Sequence, residues 1–179
     1  MNKNVASVAG RLEFVLVAVL AVVIISLANY ENAGLAQQQQ QQKTFLAKLS
    51  GTNEVPPVVT RASGVAKFTA STDGKSLDWV INVTNIRDIM GAHIHSGNLG
   101  ENGPVVVTLF NPSMTATQNS GIMNGTSFKG TITASFLEGP LTGSQMSDLI
   151  KLVSSKAAYV NIHTQQNQDG EIRGQISSP

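Results

Sequence analysis

The chain has 179 residues, enough for one domain with appendages, and its 41% hydrophobic content can supply a core while only 13% of residues are charged. A formal net charge of +1 with no basic cluster argues against nucleic-acid binding. Cysteine is absent, which excludes disulfides, thiolate metal sites, blue-copper centres and thiol nucleophiles.

Met1 to Ala36 reads as an export signal or an N-terminal membrane anchor. Lys3 and Arg11 form a positive start, Phe14 to Ala28 is almost unbroken apolar sequence, and Gly34 and Ala36 suit signal-peptidase cleavage. If uncleaved, residues 12–28 are the only expected membrane contact. Either outcome places the remainder outside the cytoplasm, secreted or held at the cell surface. Residues 37–43 form a glutamine-rich linker, with little to bury and a solvated character.

From Lys43 onward the pattern is that of short strands. Phe45–Leu49, Gly64–Ala70 and Ser76–Thr84 are expected strands, the last with Leu77, Trp79, Ile81 and Val83 on one face. Between the first two, Pro56 and Pro57 keep 51–58 out of a central strand. Gly91–Gly97 is the next strand, a Gly-rich turn spans Gly97–Gly103, and Pro104–Phe110 follows. Asn111–Ser127 is expected as a long loop, and Gly130–Phe136 as a strand. Thr142-Gly-Ser-Gln145 resembles a capping box ahead of one short helix near 145–155, with Met146, Leu149, Ile150 and Val153 at helical spacing. Ala157–Thr164 and Glu171–Ile176 close the chain as a hairpin. The fold class expected is all-β, an antiparallel sandwich of Ig-like or superoxide-dismutase-like type.

All three histidines fall in two of these strands. His93 and His95 share one face of their strand while Ala92 and Ile94 take the other; Tyr159, Asn161 and His163 oppose Val160 and Ile162 in the same way. If the two strands meet, three imidazoles converge. Such a set suits one copper or zinc ion, and it is too small for the dinuclear site of a copper/zinc superoxide dismutase. Hydrogen bonding that fixes turns such as Gly97–Gly103 is the competing role. In the closing hairpin, pairing Ile162 with Ile172 sets Asn161 against Arg173 and His163 against Glu171. Glu171 thereby becomes a candidate extra ligand or orienter of His163, or a plain cross-strand polar pair. No Gly-x-Ser-x-Gly elbow or phosphate-binding loop is present, so no catalytic residue is assigned. Asn82-Val-Thr84 and Asn124-Gly-Thr126 match the glycosylation acceptor pattern.

Several separated motifs, in order, resemble the CHRD domain: Leu49–Val58, Gly91–Gly97, Gly103–Val107, Tyr159–Thr164 and Gly170–Gln175. The likeness covers about 44–177. It implies an all-β extracellular module, a kind found as repeats in chordin and alone in secreted microbial proteins. The cysteine-rich modules that accompany growth-factor antagonism in chordin have no counterpart here, so that activity is not carried over. The sequence therefore leads to an exported, non-enzymatic module with a binding or structural role and an extracellular protein or surface component as partner. The alternative is a mononuclear copper or zinc protein using His93, His95 and His163.

Overall fold

The computed structural model describes residues 42–111, 122–123 and 126–179. The export signal or anchor, nearly all of the glutamine-rich linker, Asn124 and most of the 111–127 loop lie outside the described residues. Besides three short 3-10 turns, the described regular structure comprises ten strands and one α-helix: β1 (Thr44–Ser50), β2 (Ser63–Ala70), β3 (Ser76–Thr84), β4 (Ile86–Arg87), β5 (Ile89–Ser96), β6 (Val105–Phe110), β7 (Ile122–Met123), β8 (Thr126–Thr133), α1 (Met146–Ser154), β9 (Ala158–Thr164) and β10 (Ile172–Gln175).

Eight strands form one antiparallel sheet in the order β6-β5-β9-β10-β1-β2-β3-β8, while β4 and β7 pair separately. The sheet curls until its edges nearly meet. Leu137, just past β8, bridges to Val107 on β6, the Glu138 N–H donates to the Val106 carbonyl at 3.0 Å, and the Phe110 and Phe128 rings lie 4.9 Å apart. The result is a nearly closed, sandwich-like β-domain that protects both edge strands.

Alternation decides what faces inward. On β3, Leu77, Trp79, Ile81 and Val83 are buried while Asp78 and Asn82 are exposed. Phe45, Phe68, Ile94, Val160, Ile162 and Ile172 join the same core. The helix α1 contributes Met146, Leu149, Ile150 and Val153 to it, the face expected from their spacing.

Three local expectations are corrected. The capping box starts at Gln145, three residues later than the Thr142 reading; the Gln145 N–H donates to the Asp148 carboxylate at 3.0 Å. The strand expected over 130–136 is shifted towards the N-terminus: β8 begins at Thr126 and ends at Thr133, and 134–136 forms a 3-10 turn. The loop expected over 111–127 holds strand residues at 122–123 and 126–127.

Strand β9 is the exception to alternation. It is buried on both faces except at His163, which is partly buried. One face looks into the core. The other is covered by three loops, 51–62, 97–104 and 165–171. The loops are tied to it and to each other: Asn102 Nδ2 donates to the Val55 carbonyl at 2.7 Å, and Asn53 Nδ2 to the Arg173 carbonyl at 3.1 Å. A polar face is thereby taken out of water, and on that face lie the candidate site residues.

Candidate metal centre

Strands β5 and β9 are neighbours. Ala92 pairs with Ile162, His93 with Asn161, Ile94 with Val160 and His95 with Tyr159. The condition for bringing three imidazoles together is met. One nitrogen from each of His93, His95 and His163 lies within 4.8 Å of those of the other two. Ring centroids are 4.9 Å apart for His93 and His163, 5.8 Å for His93 and His95, and 6.1 Å for His95 and His163. Register shifts interrupt β5 on both sides: beside Met90 towards β9, and at Ala92/His93 and Ile94/His95 towards β6. Such irregularities re-aim side chains within a sheet.

Two of the rings are pinned through Nδ1. In His95 it lies 2.9 Å from the Gly103 carbonyl, and in His163 it lies 2.7 Å from the Gln168 carbonyl. A carbonyl only accepts, so each Nδ1 carries the proton and each Nε2 keeps its lone pair. Those Nε2 atoms, together with Nδ1 of His93, are buried and have no hydrogen-bond partner among the described residues. The turn-fixing role and a ligand role therefore use different atoms of the same rings. Gly91 leaves room for the third ring: a Cβ there would meet the His93 imidazole at 3.1 Å.

Electrostatics keep the cluster neutral. Burial pushes His93 down to about 4, with repulsion from His163 and His95 adding to it and Glu138 opposing. Burial also lowers His95 and His163, each partly offset by its carbonyl hydrogen bond. Neutral imidazole is the metal-binding form.

Tyr159 stacks on His95, with ring centroids 4.9 Å apart and planes 9° from parallel, and the Arg173 guanidinium lies over the same tyrosine ring at 3.4 Å. Since β9 sits between β5 and β10, Tyr159 is flanked by both. Arg173 is 1% exposed and donates to Asn102 Oδ1 at 2.9 Å and to the Glu101 carbonyl at 2.7 Å. It is a loop anchor as much as a stacking partner.

The hairpin register is as expected: Ile172 pairs with Ile162 and Arg173 with Asn161. The ligand or orienter role considered for Glu171 is corrected. Its carboxylate accepts from Thr60 at 2.7 Å and Thr164 at 2.6 Å, and His163 is oriented by the Gln168 carbonyl instead. β10 starts at Ile172, so the ladder ends before a His163–Glu171 pair can form.

The carboxylate that does reach this polar face is Glu54, from the proline-containing loop 51–62. It is 6% exposed and accepts from Asn161 Nδ2 at 3.1 and 3.2 Å. Burial pushes it up to about 7, against the Asn161 hydrogen bond and the charge of Arg173. Sequence periodicity carried no signal for it, because the segment has no strand or helix period. Asn82 and Thr84 are exposed on β3, so that acceptor triplet is accessible.

Comparison with curated proteins finds no match. The CHRD domain model matches residues 45–176, close to the limits the sequence motifs suggested and most of the chain, and on that match the chain belongs to the CHRD domain family.

Proposed function

We propose that this CHRD domain is a mononuclear metal-binding module that holds one copper or zinc ion on His93, His95 and His163 and acts outside the cytoplasm by binding rather than catalysis. The supporting observation is the convergence of three partly buried imidazoles, each of which carries a buried nitrogen without a hydrogen-bond partner among the described residues. A buried polar atom without a partner costs roughly 1–3 kcal/mol, and three together at one point call for a common partner. All-imidazole donors suit copper and zinc; calcium and magnesium require oxygen ligands, and among the described residues no carboxylate belongs to the cluster. An ion about 2.0–2.1 Å from each nitrogen needs only modest inward movement of the rings. Extracytoplasmic placement is supported by the sequence of Met1–Ala36.

The test is elemental analysis of the full chain, purified in detergent without a histidine tag and incubated with copper or zinc. One equivalent of metal is expected in the parent, and a small fraction of that in His93→Ala and His163→Ala. A folded parent that takes up neither ion leaves the module with a metal-free binding role.

A further inference from the structure

Asn161 carries a fourth unpartnered atom. Its Oδ1 is buried, with no hydrogen-bond partner among the described residues, in a side chain only 3% exposed. Its position relates it to the histidines. Asn161 is directly opposite His93 on β5 and two residues from His163 on β9, so all three side chains share one face. Directly opposed residues have Cβ atoms about 4.5–5.5 Å apart.

The orientation of the amide is determined by Glu54. Both oxygens of Glu54 face Nδ2, and against the ionised carboxylate, the form present above about pH 7, reversing the amide would set Oδ1 against two acceptors. A third acceptor, the Asp169 carbonyl, lies on the same side at 3.5 Å. Oδ1 is therefore turned away from Glu54 and held as an acceptor. Among the described residues the cluster includes no fourth ligand: Glu54, Glu138 and Glu171 stand outside it. Three protein ligands with one position left is the pattern of an exchangeable metal site, whereas closed structural sites use four.

Building on the metal reading, we propose that the ion's remaining position takes an exchangeable oxygen ligand, water or hydroxide, that donates a hydrogen bond to Asn161 Oδ1, with Glu54 as the positioning residue that aims that oxygen. The site then binds small ligands in place of water and discriminates among them by whether they carry a proton to donate. The metal and Oδ1 together give a bound water two partners, the minimum such a water ordinarily has. Asn161 neither binds the metal nor reacts.

The experiment is azide titration of the copper(II)-loaded full chain, followed by the azide-to-copper charge-transfer band and by electron paramagnetic resonance. Azide has no proton to donate, so in the parent it displaces a water held by one extra hydrogen bond. Asn161→Leu keeps the branched four-atom shape of the side chain and removes that bond. It is expected to retain one equivalent of copper and to bind azide about five-fold more tightly, the worth of one hydrogen bond. Glu54→Gln removes the carboxylate that fixes the amide, and a smaller tightening is expected from it. If Asn161→Leu does not fold, the Glu54→Gln titration decides. Unchanged azide affinity in the fully loaded variants overturns the proposal, because Oδ1 then plays no part in holding the exchangeable ligand. A copper-loaded parent whose spectra do not respond to azide overturns it differently, by showing a closed site while the metal reading stands. A parent that takes up no copper overturns both.

Discussion

Glu54 and His93 are displaced in opposite directions by the same cause, since burial disfavours whichever form is charged. Their effects on stability are opposite too. Glu54 moves from 4.5 to about 7, so between those values the folded state holds more protons than the unfolded one. Its contribution is full below pH 4.5 and is lost as pH rises through about 7. His93 moves from 6.5 to about 4, so its neutral form supports the fold above pH 6.5 and that support is lost on acidification towards 4. Glu54→Gln should therefore be most destabilised relative to the parent at pH 5, and the difference should shrink or reverse by pH 8. Urea unfolding at both pH values checks this, and a pH-independent difference contradicts the burial argument. The depressed histidines also resist proton competition, so bound metal should be released at a midpoint well below pH 6.5; stepwise acid dialysis with metal analysis measures it. His93, His95 and His163 could be located from sequence because period two on a strand fixes a face. Glu54 could not, because its segment has no period and reaches Asn161 across 107 residues of sequence.

At the scale of elements, the site is assembled by strands and held by loops. The closing hairpin was legible because one apolar pair, Ile162 with Ile172, fixes the register of the others. What lies beyond the ladder was not: where pairing stops at Ile172, Glu171 turns to two threonines that no alternation rule connects to it. The helix cap shows a similar limit, since Thr142 and Gln145 both precede the apolar spacing and only Gln145 meets its partner. Loop 97–104 depends on backbone more than side chains. Gly103 accepts from His95 through its carbonyl, donates its N–H to Tyr159 Oη at 3.1 Å, and packs so tightly on the Ser96 carbonyl that a Cβ has no room. Gly103→Ala must displace the loop, and with it the acceptor that fixes the His95 tautomer. The expected result is a loss of metal affinity of about ten-fold or more, as for removal of other groups that orient metal-bound histidines. Calorimetric metal titration of the folded variant checks this. Affinity equal to that of the parent would show that the Gly103 carbonyl does not orient His95 for the metal.

Across the whole domain, the cluster joins two strands whose histidines are some 70 residues apart in sequence. Those strands are adjacent only in the folded sheet, where β9 lies between β5 and β10. The unfolded chain retains the His93–His95 pair but has no means of holding His163 beside it. An ion that needs all three nitrogens therefore binds the folded state selectively and stabilises it by mass action. The size of the effect follows from concentration alone: about 2.7 kcal/mol is expected when free metal is 100 times its dissociation constant. In urea, the unfolding midpoint of the parent should rise with the logarithm of free copper or zinc once that constant is exceeded. His163→Ala removes the ligand contributed by β9 and should leave a midpoint that barely responds to metal, whatever its own starting stability. The comparison is internal to each protein, so a general destabilisation by the substitution does not disturb it. Equal metal-dependent shifts in the parent and in His163→Ala would mean that the ion is held elsewhere, and that the imidazoles of His95 and His163 serve only to fix the loops over β9.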